Sequence, residues 1–460
     1  MIEFPHRRRL ELAAIAVLWG LAPAPTAFAQ PGCDPLPPPA GEVVHVDPTA
    51  ADELRAIVAA AGSGATILLA DGLYDLSGGD ASHRLSFETP GVTLRSASGV
   101  RDAVVLDGGY GTSELVSILA SDVTVADLTL RRAFDHPIHV SGTPGNPISG
   151  TLLHNLRIVD PGQQAIKINP IGDGYADDGT IECCSIELTD AGRAEIRDNC
   201  YTGGVDGHQA WGWVVRRNRI AGFWCDDGLS EHAVHFWNAS RDTLVEQNVI
   251  ADCARGIGFG LGASGASRSY PDDPYPGVGY LGHIDGIVRN NFAAAADPRL
   301  FATPDGFDTG VGLEQARGAR VVHNTVASTA APRSSSIEWR FENTLAEIAN
   351  NLASDRLLPR DGAEADLAGN IDFCPLAWLA DVAAGDLHLT AAAAAAVDAG
   401  APITAGLADF DIDGEARDAR PDVGADEVGG RIFADGFESG DLSAWSAAVP
   451  GGVVGPFRSL

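Results

Sequence analysis

The chain has 460 residues, 62 of them Asp or Glu against 31 Lys or Arg, for a formal charge of −31. So acidic a chain argues against nucleic acid as a partner and repels other polyanions unless cations are gathered at one place. The 54 glycines among many short apolar runs fit strands separated by turns, with enough chain to bury a large core.

From the N-terminus, Arg7, Arg8 and Arg9 precede an apolar stretch from Leu12 to Leu21, and Ala27-Phe28-Ala29 supplies a small-x-small cleavage pattern. The stretch is shorter than the roughly 20 residues needed to span a bilayer. Residues 1–29 therefore read as a signal peptide, with the mature chain starting near Gln30 and secreted. Thr49 to Ala61 reads as a short helix, with Asp52 and Glu53 in its first turn and Leu54, Ile57, Val58 and Ala61 on one face. Such a helix would cap the open end of a strand stack.

A repeat follows. Short apolar segments end in asparagine at Asn155, Asn218, Asn248, Asn291, Asn324 and Asn351. Asparagine suits a bend, because it tolerates left-handed dihedrals and its amide can bond the equivalent residue one coil away. In a second register, Ile138-His139-Val140 and Ile166-Lys167-Ile168 lie 28 residues apart. The series continues through Val205-Asp206-Gly207, Val234-His235-Phe236, Ile257-Gly258-Phe259, Val311-Gly312-Leu313 and Ile337-Glu338-Trp339. Flanking residues should point inward and central ones outward, stacked about 4.8 Å apart. The pattern predicts an all-β solenoid, a single-stranded right-handed parallel β-helix, in which Lys167, Asp206 and His235 occupy consecutive outward rungs. The divisions expected are a cap and first coils over 30–91, a coil core over 92–380, a closing segment over 381–430 and a tail over 431–460.

Between about Gly172 and Glu231 long excursions interrupt the coils, and loops on a repetitive scaffold commonly present binding groups. Lys167 is the only lysine, and a lysine amine can lose its proton when desolvated, as guanidinium cannot. Lys167, His208, His235 and Arg255 are the candidate catalytic residues; Glu231 could orient an imidazole. Tyr201, Asp206, Gln209, Trp211, Trp224 and Glu231 are the candidate substrate contacts, since aromatic faces and hydrogen-bonding side chains suit a saccharide groove. Trp213 and Trp237 read as core fillers, and alternation turns His232 inward with Val234. Further on, the aspartates from Asp409 to Asp426 offer hard oxygen ligands, with calcium as the cation they would take. Phe433 to Trp445 resembles the first strand of a carbohydrate-binding sandwich or a terminal tag.

Seven cysteines in an exported chain predict disulfides with one thiol left over. Cys225 with Cys253, Cys200 with Cys183 or Cys184, and Cys33 with Cys374 are the pairings considered.

From roughly Val92 to Asn351 the sequence resembles the pectate-lyase-like β-helix superfamily. Gln163-Gln164-Ala165-Ile166-Lys167-Ile168-Asn169 is similar to the strand that carries the lysine base of the alginate lyase and chondroitinase B group. The resemblance implies β-elimination of a uronic-acid polymer, with Lys167 as the base. Where that group has an arginine one coil later, this chain offers Asp206 and His208, and the pattern from Ala165-Ile166-Lys167 through Tyr201-Thr202-Gly203-Gly204 to Ala254-Arg255-Gly256-Ile257-Gly258-Phe259-Gly260 more closely resembles a bacterial secreted right-handed β-helix repeat family. The expected partner is an extracellular polysaccharide, handled by a monomer. The alternatives are a glycoside hydrolase of polygalacturonase type, using Asp206, Asp226 or Asp227 as acid and base, and a non-catalytic adhesive β-helix.

Overall fold

The computed structural model describes residues 33–428, so the export segment at 1–29, the tail from 431 and the Phe433 to Trp445 motif lie outside the described residues. The segment Ala51–Ala60 is helical, entered through a 3₁₀ turn at Pro48–Ala50 that Asp47 caps. Leu54 and Val58 bury against the first coils, as their spacing on one face requires. Three long parallel sheets of fourteen, ten and ten strands follow. Each turn of chain adds one strand to each sheet, and parallel crossovers of this kind wind right-handed. The molecule is a right-handed parallel β-helix.

One ten-stranded sheet positions the candidate site. It includes in consecutive rungs His136–Val140, Gln164–Ile168, Gly203–His208, His232–Trp237, Arg255–Phe259, Thr309–Glu314 and Ser335–Arg340. The register aligns Ile138 with Ile166, Ile166 with Val205, Val205 with Val234, and Val234 with Ile257. All five are fully buried. Each such side chain contributes about 1.5–3 kcal/mol on leaving water, which fixes the register because a one-residue slip would turn the whole stack outward. The central positions His139, Lys167, Asp206 and His235 stack in that order, as the spacing predicts. The ladder extends to Ser117 and Ser86 on one side and Leu358 on the other.

The asparagine series differs from expectation at one end. Asn218, Asn248, Asn291, Asn324 and Asn351 stack inside the coils, each Nδ2 donating to the next Oδ1 at 2.9–3.0 Å, and Asn370 completes the row. Asn155 is not in it; Leu156 and Cys184 hold the equivalent inner positions in the preceding coils. The left-handed bend belongs to the residue before each ladder asparagine: Asn155, Cys183, Arg217, Gln247, Asn290, His323 and Asn350 all have φ near +50 to +60°. The two properties expected of one asparagine are therefore divided between neighbours.

Those bend residues receive the closing segment. Gln247 donates to the Asp411 carbonyl, Asn290 to the Phe410 carbonyl, His323 to the Gly424 carbonyl and Asn350 to the Ala401 carbonyl. A second apolar cluster, including Phe292, Leu352, Leu387 and Val423, seals the contact.

Two disulfides form, Cys33 to Cys183 and Cys200 to Cys225; Cys184, Cys253 and Cys374 are free and buried. The pairings Cys33 with Cys374, Cys225 with Cys253 and Cys200 with Cys183 or Cys184 are not made. Cys184 and Cys253 point inward from coil bends, where their thiols bond backbone and burial pushes their pKa up to about 12. Among the described residues no helix is long and apolar enough to cross a membrane.

Candidate functional site

Lys167 leaves its strand on the outer face, yet it is only 7% exposed, and Asp206 and His235 are buried with it. Alternation decides only which face a residue takes; here neighbouring rungs and the loop carrying Tyr201 cover the outer face. The Lys167 Nζ donates to Asp206 Oδ2 and to Tyr201 Oη at 3.2 Å, and lies 2.9 Å from His208 Nε2. Asp206 also accepts from Trp237 Nε1 at 2.9 Å, and its Oδ2 is 3.0 Å from His208 Nε2. Tyr201 and His208 are half-buried, so this cluster reaches solvent through them.

Burial by itself would pull the Lys167 pKa down; the charge of Asp206 outweighs it and holds the ammonium above its ordinary value. Burial would raise Asp206, but Lys167, His208 and His235 bring it well below the usual carboxylate range. The pair is thus ionised, and Lys167 has no lone pair with which to accept a proton. Asp206, ionised against Lys167 and accepting from Trp237, has no proton to give.

One coil on, the His235 ring stacks on Trp237 at 5.3 Å between centroids, and its Nε2 donates to the Gly260 carbonyl at 3.1 Å. Its Nδ1 faces Glu231 Oε2 at 3.4 Å and Asp206 Oδ1 at 3.6 Å without forming a hydrogen bond. The Glu231 carboxyl, which burial would raise, is held below its ordinary value when the His235 ring carries its second proton. His232 does not turn inward. Its ring lies 4.4 Å from that of His235 on the outer face, and a Cβ at Gly258, on the next rung, would meet it at 2.6 Å. Two-residue alternation therefore does not extend back from Val234 to His232. Burial, then His235 and Arg255, hold the His232 pKa well below that of free imidazole. Arg255, paired in register with His232, bonds Asp308 through Nε at 3.1 Å and is partly exposed.

The four tryptophans between Trp211 and Trp237 do not form one aromatic groove. Trp213 is fully buried and donates to the Ala176 carbonyl. Trp237 is not a core filler: it shares the outward parity of His235 and covers Asp206. Trp224 is buried, with the Arg193 guanidinium 3.7 Å over its ring. Only Trp211 is exposed; its indole bonds Asp242, and it stands at a coil corner with Tyr270. Gln209 is also at that corner, donating to the Ser267 carbonyl at 2.6 Å. Lys167, Tyr201, Asp206, His208, Glu231, His235 and Arg255 thus come from successive rungs of one sheet and the loops that join them, while Gln209, Trp211 and Trp224 are engaged elsewhere. His232 and Trp237 are members that sequence reasoning misplaced; the parity of Trp237 with His235 was the available signal for the second.

At the C-terminal end, the oxygens of Asp411 and Asp422 are occupied by backbone amides. Asp411 accepts from Asp413, Glu415 and Glu427 amides, and Asp422 from Asp398 and Val428 amides. That use is the capping of turns.

No protein-family model and no curated protein sequence matches the chain. Among solved structures, an alginate lyase from Paenibacillus sp. strain FPU-7 aligns at 16% identity over 71% of this chain and 98% of its own, with a TM-score of 0.49. A pectate lyase aligns at 14% identity over 84% and 96%, with a TM-score of 0.46. A surface adhesin of Streptococcus pneumoniae aligns at 10% identity over 70% and 84%, with a TM-score of 0.37. The fold assignment here stands on the chain's own sheets and register.

Proposed function

We propose that the protein is a secreted polysaccharide lyase that cleaves a uronic-acid-containing polymer by β-elimination at the Lys167 rung. One observation carries the reading: an ionised Lys167–Asp206 pair lies under two proton carriers, His208 and Tyr201, that reach solvent on the same face. The pairing moves the base role from Lys167 to His208, because an ammonium cannot accept a proton. His208 takes the proton from the carbon bearing the uronate carboxylate, and the Lys167 ammonium, 2.9 Å from His208 Nε2, offsets the charge that grows there. The bond from the neighbouring carbon to the glycosidic oxygen breaks as the double bond forms. Tyr201, whose oxygen accepts from Lys167, directs its own proton to the departing oxygen. Solvent then returns the proton from His208 to Tyr201.

Hydrolysis through Asp206 is disfavoured by its buried, fully engaged carboxylate, which has no proton to serve as acid. The two disulfides fit an oxidising compartment outside the cytoplasm. The test is to incubate the purified protein with uronate polymers and follow ultraviolet absorbance of the unsaturated product. Absorbance that rises with wild type and not with His208→Ala supports elimination. Reducing ends without absorbance would mean hydrolysis, and polymer binding without either would mean an adhesive protein.

A further inference from the structure

Beside that rung, and independent of what the rung acts on, the geometry points to a zinc-class divalent metal site built from Glu231, His232 and His235. The His235 Nε2 faces a carbonyl at 3.1 Å, a partner that can only accept, so Nε2 carries a proton and Nδ1 of the neutral ring is a lone pair. That lone pair is aimed at two carboxylate oxygens, Glu231 Oε2 at 3.4 Å and Asp206 Oδ1 at 3.6 Å. Glu231 Oε2, His232 Nδ1 and His235 Nδ1 are each buried without a hydrogen-bond partner, and one donor atom from each residue lies within 4.8 Å of the others. His232 is 5% exposed and His235 fully buried.

Buried lone pairs that converge and find no donor are costly, at about 1–3 kcal/mol for each unsatisfied group. A cation among them removes the cost. A second proton on His235 would satisfy the two carboxylates but bring nothing to His232; a metal ion would take one donor atom from each of the three residues. Two imidazole nitrogens and one carboxylate oxygen suit zinc, rather than calcium or magnesium, which take oxygen ligands. The second shell is also in place, since a ligating histidine usually donates its other ring N–H to a carbonyl or carboxylate, as His235 does to Gly260. The next rung makes room: Gly258 is on the outward position, where any side chain would collide with the His232 ring. Three protein ligands leave a fourth position open, which is the arrangement of a site that exchanges water or substrate.

The only other such cluster among the described residues, His388 with Asp413 and Asp426, differs in that both ring nitrogens of His388 already contact carboxylates. Its imidazole is itself the cation.

Full-length protein stripped with chelator would be titrated with Zn²⁺ by calorimetry and with Co²⁺ by visible absorbance. One ion per chain is expected, with Co²⁺ ligand-field bands and no displacement of Zn²⁺ by excess Ca²⁺. Glu231→Gln should weaken Zn²⁺ binding by more than about 100-fold, beyond the roughly 10–100-fold typical of outer-shell changes. His388→Ala should leave binding unchanged. No stoichiometric uptake, displacement by Ca²⁺, equal affinity in Glu231→Gln, or loss of binding in His388→Ala would each overturn the assignment. His232→Ala, checked for fold by circular dichroism, should also lose the ion; if it does not fold, Glu231→Gln and the wild-type cobalt spectrum decide.

Discussion

Two regions of the molecule concentrate ionisable groups, and they treat them in opposite ways. In the closing segment the aspartates cap turns, and His388 bridges Asp386 and Asp413. In the middle coils, Asp206 is buried against the single lysine while Glu231, His232 and His235 keep atoms with no partner. The first pattern is what a segment needs to hold irregular backbone in place. The second costs stability in the resting protein, and its natural explanation is work done on something that arrives from outside. Carboxylate number alone points to the closing segment; what separates the regions is whether the carboxylate and imidazole atoms already have partners.

The strongest way to break this comparison is to remove one half of the buried ion pair. Asp206→Ala leaves an ammonium without its partner and should destabilise the fold by about 3–5 kcal/mol in urea unfolding, whereas Lys167→Met combined with Asp206→Leu should cost much less. Equal losses would mean that the pair is not isolated from water. Next, if the rung is chemical, His208→Ala should lower turnover by roughly 100-fold with the unfolding midpoint little changed. A parallel fall in both would reduce His208 to a structural part.

A smaller effect is expected from the structural ladder. Asn291→Ala removes an amide between Asn248 and Asn324 and leaves their buried groups unsatisfied, at about 1–3 kcal/mol. An unchanged midpoint would show that water replaces it. The smallest effect belongs to the closing segment. His388 is raised to about 9 by Asp413 and Asp386 against burial, so the folded state holds its proton longer than the unfolded chain. The contribution is complete below the ordinary imidazole pKa near 6.5 and is lost as pH rises to about 9. Stability should decline across that window in wild type and stay flatter in His388→Ala. The opposite slope would remove His388 from the role of fixed cation.

The coils were legible because burial enforces a fixed period: Ile138, Ile166, Val234 and Ile257 announce the inner stack, and the outward positions of Lys167, Asp206 and His235 follow from parity. Their burial was not legible, because it depends on Tyr201, His208 and Trp237 folding back over the same face. His232 defeated alternation for a related reason: its strand departs from a simple two-residue period where it meets the preceding loop, and Gly258 alone does not reveal whose ring it accommodates. Asn155 looked like a ladder member because its segment matches the others, but its amide bonds Asp127 and the inner place belongs to Leu156. The cysteine partners depended on which loops approach one another, as Cys33 and Cys183 do across 150 residues, and spacing carries no trace of that.

The bend residues Gln247, Asn290, His323 and Asn350 hold the closing segment across four successive coils. A force drawing the chain out from its C-terminal side would therefore have to break these bonds before the last coil could peel from the one beneath it. The segment acts as a splint. A protease working inward from that side would meet the same resistance, so the splint lengthens the life of the native state through the rate of unravelling.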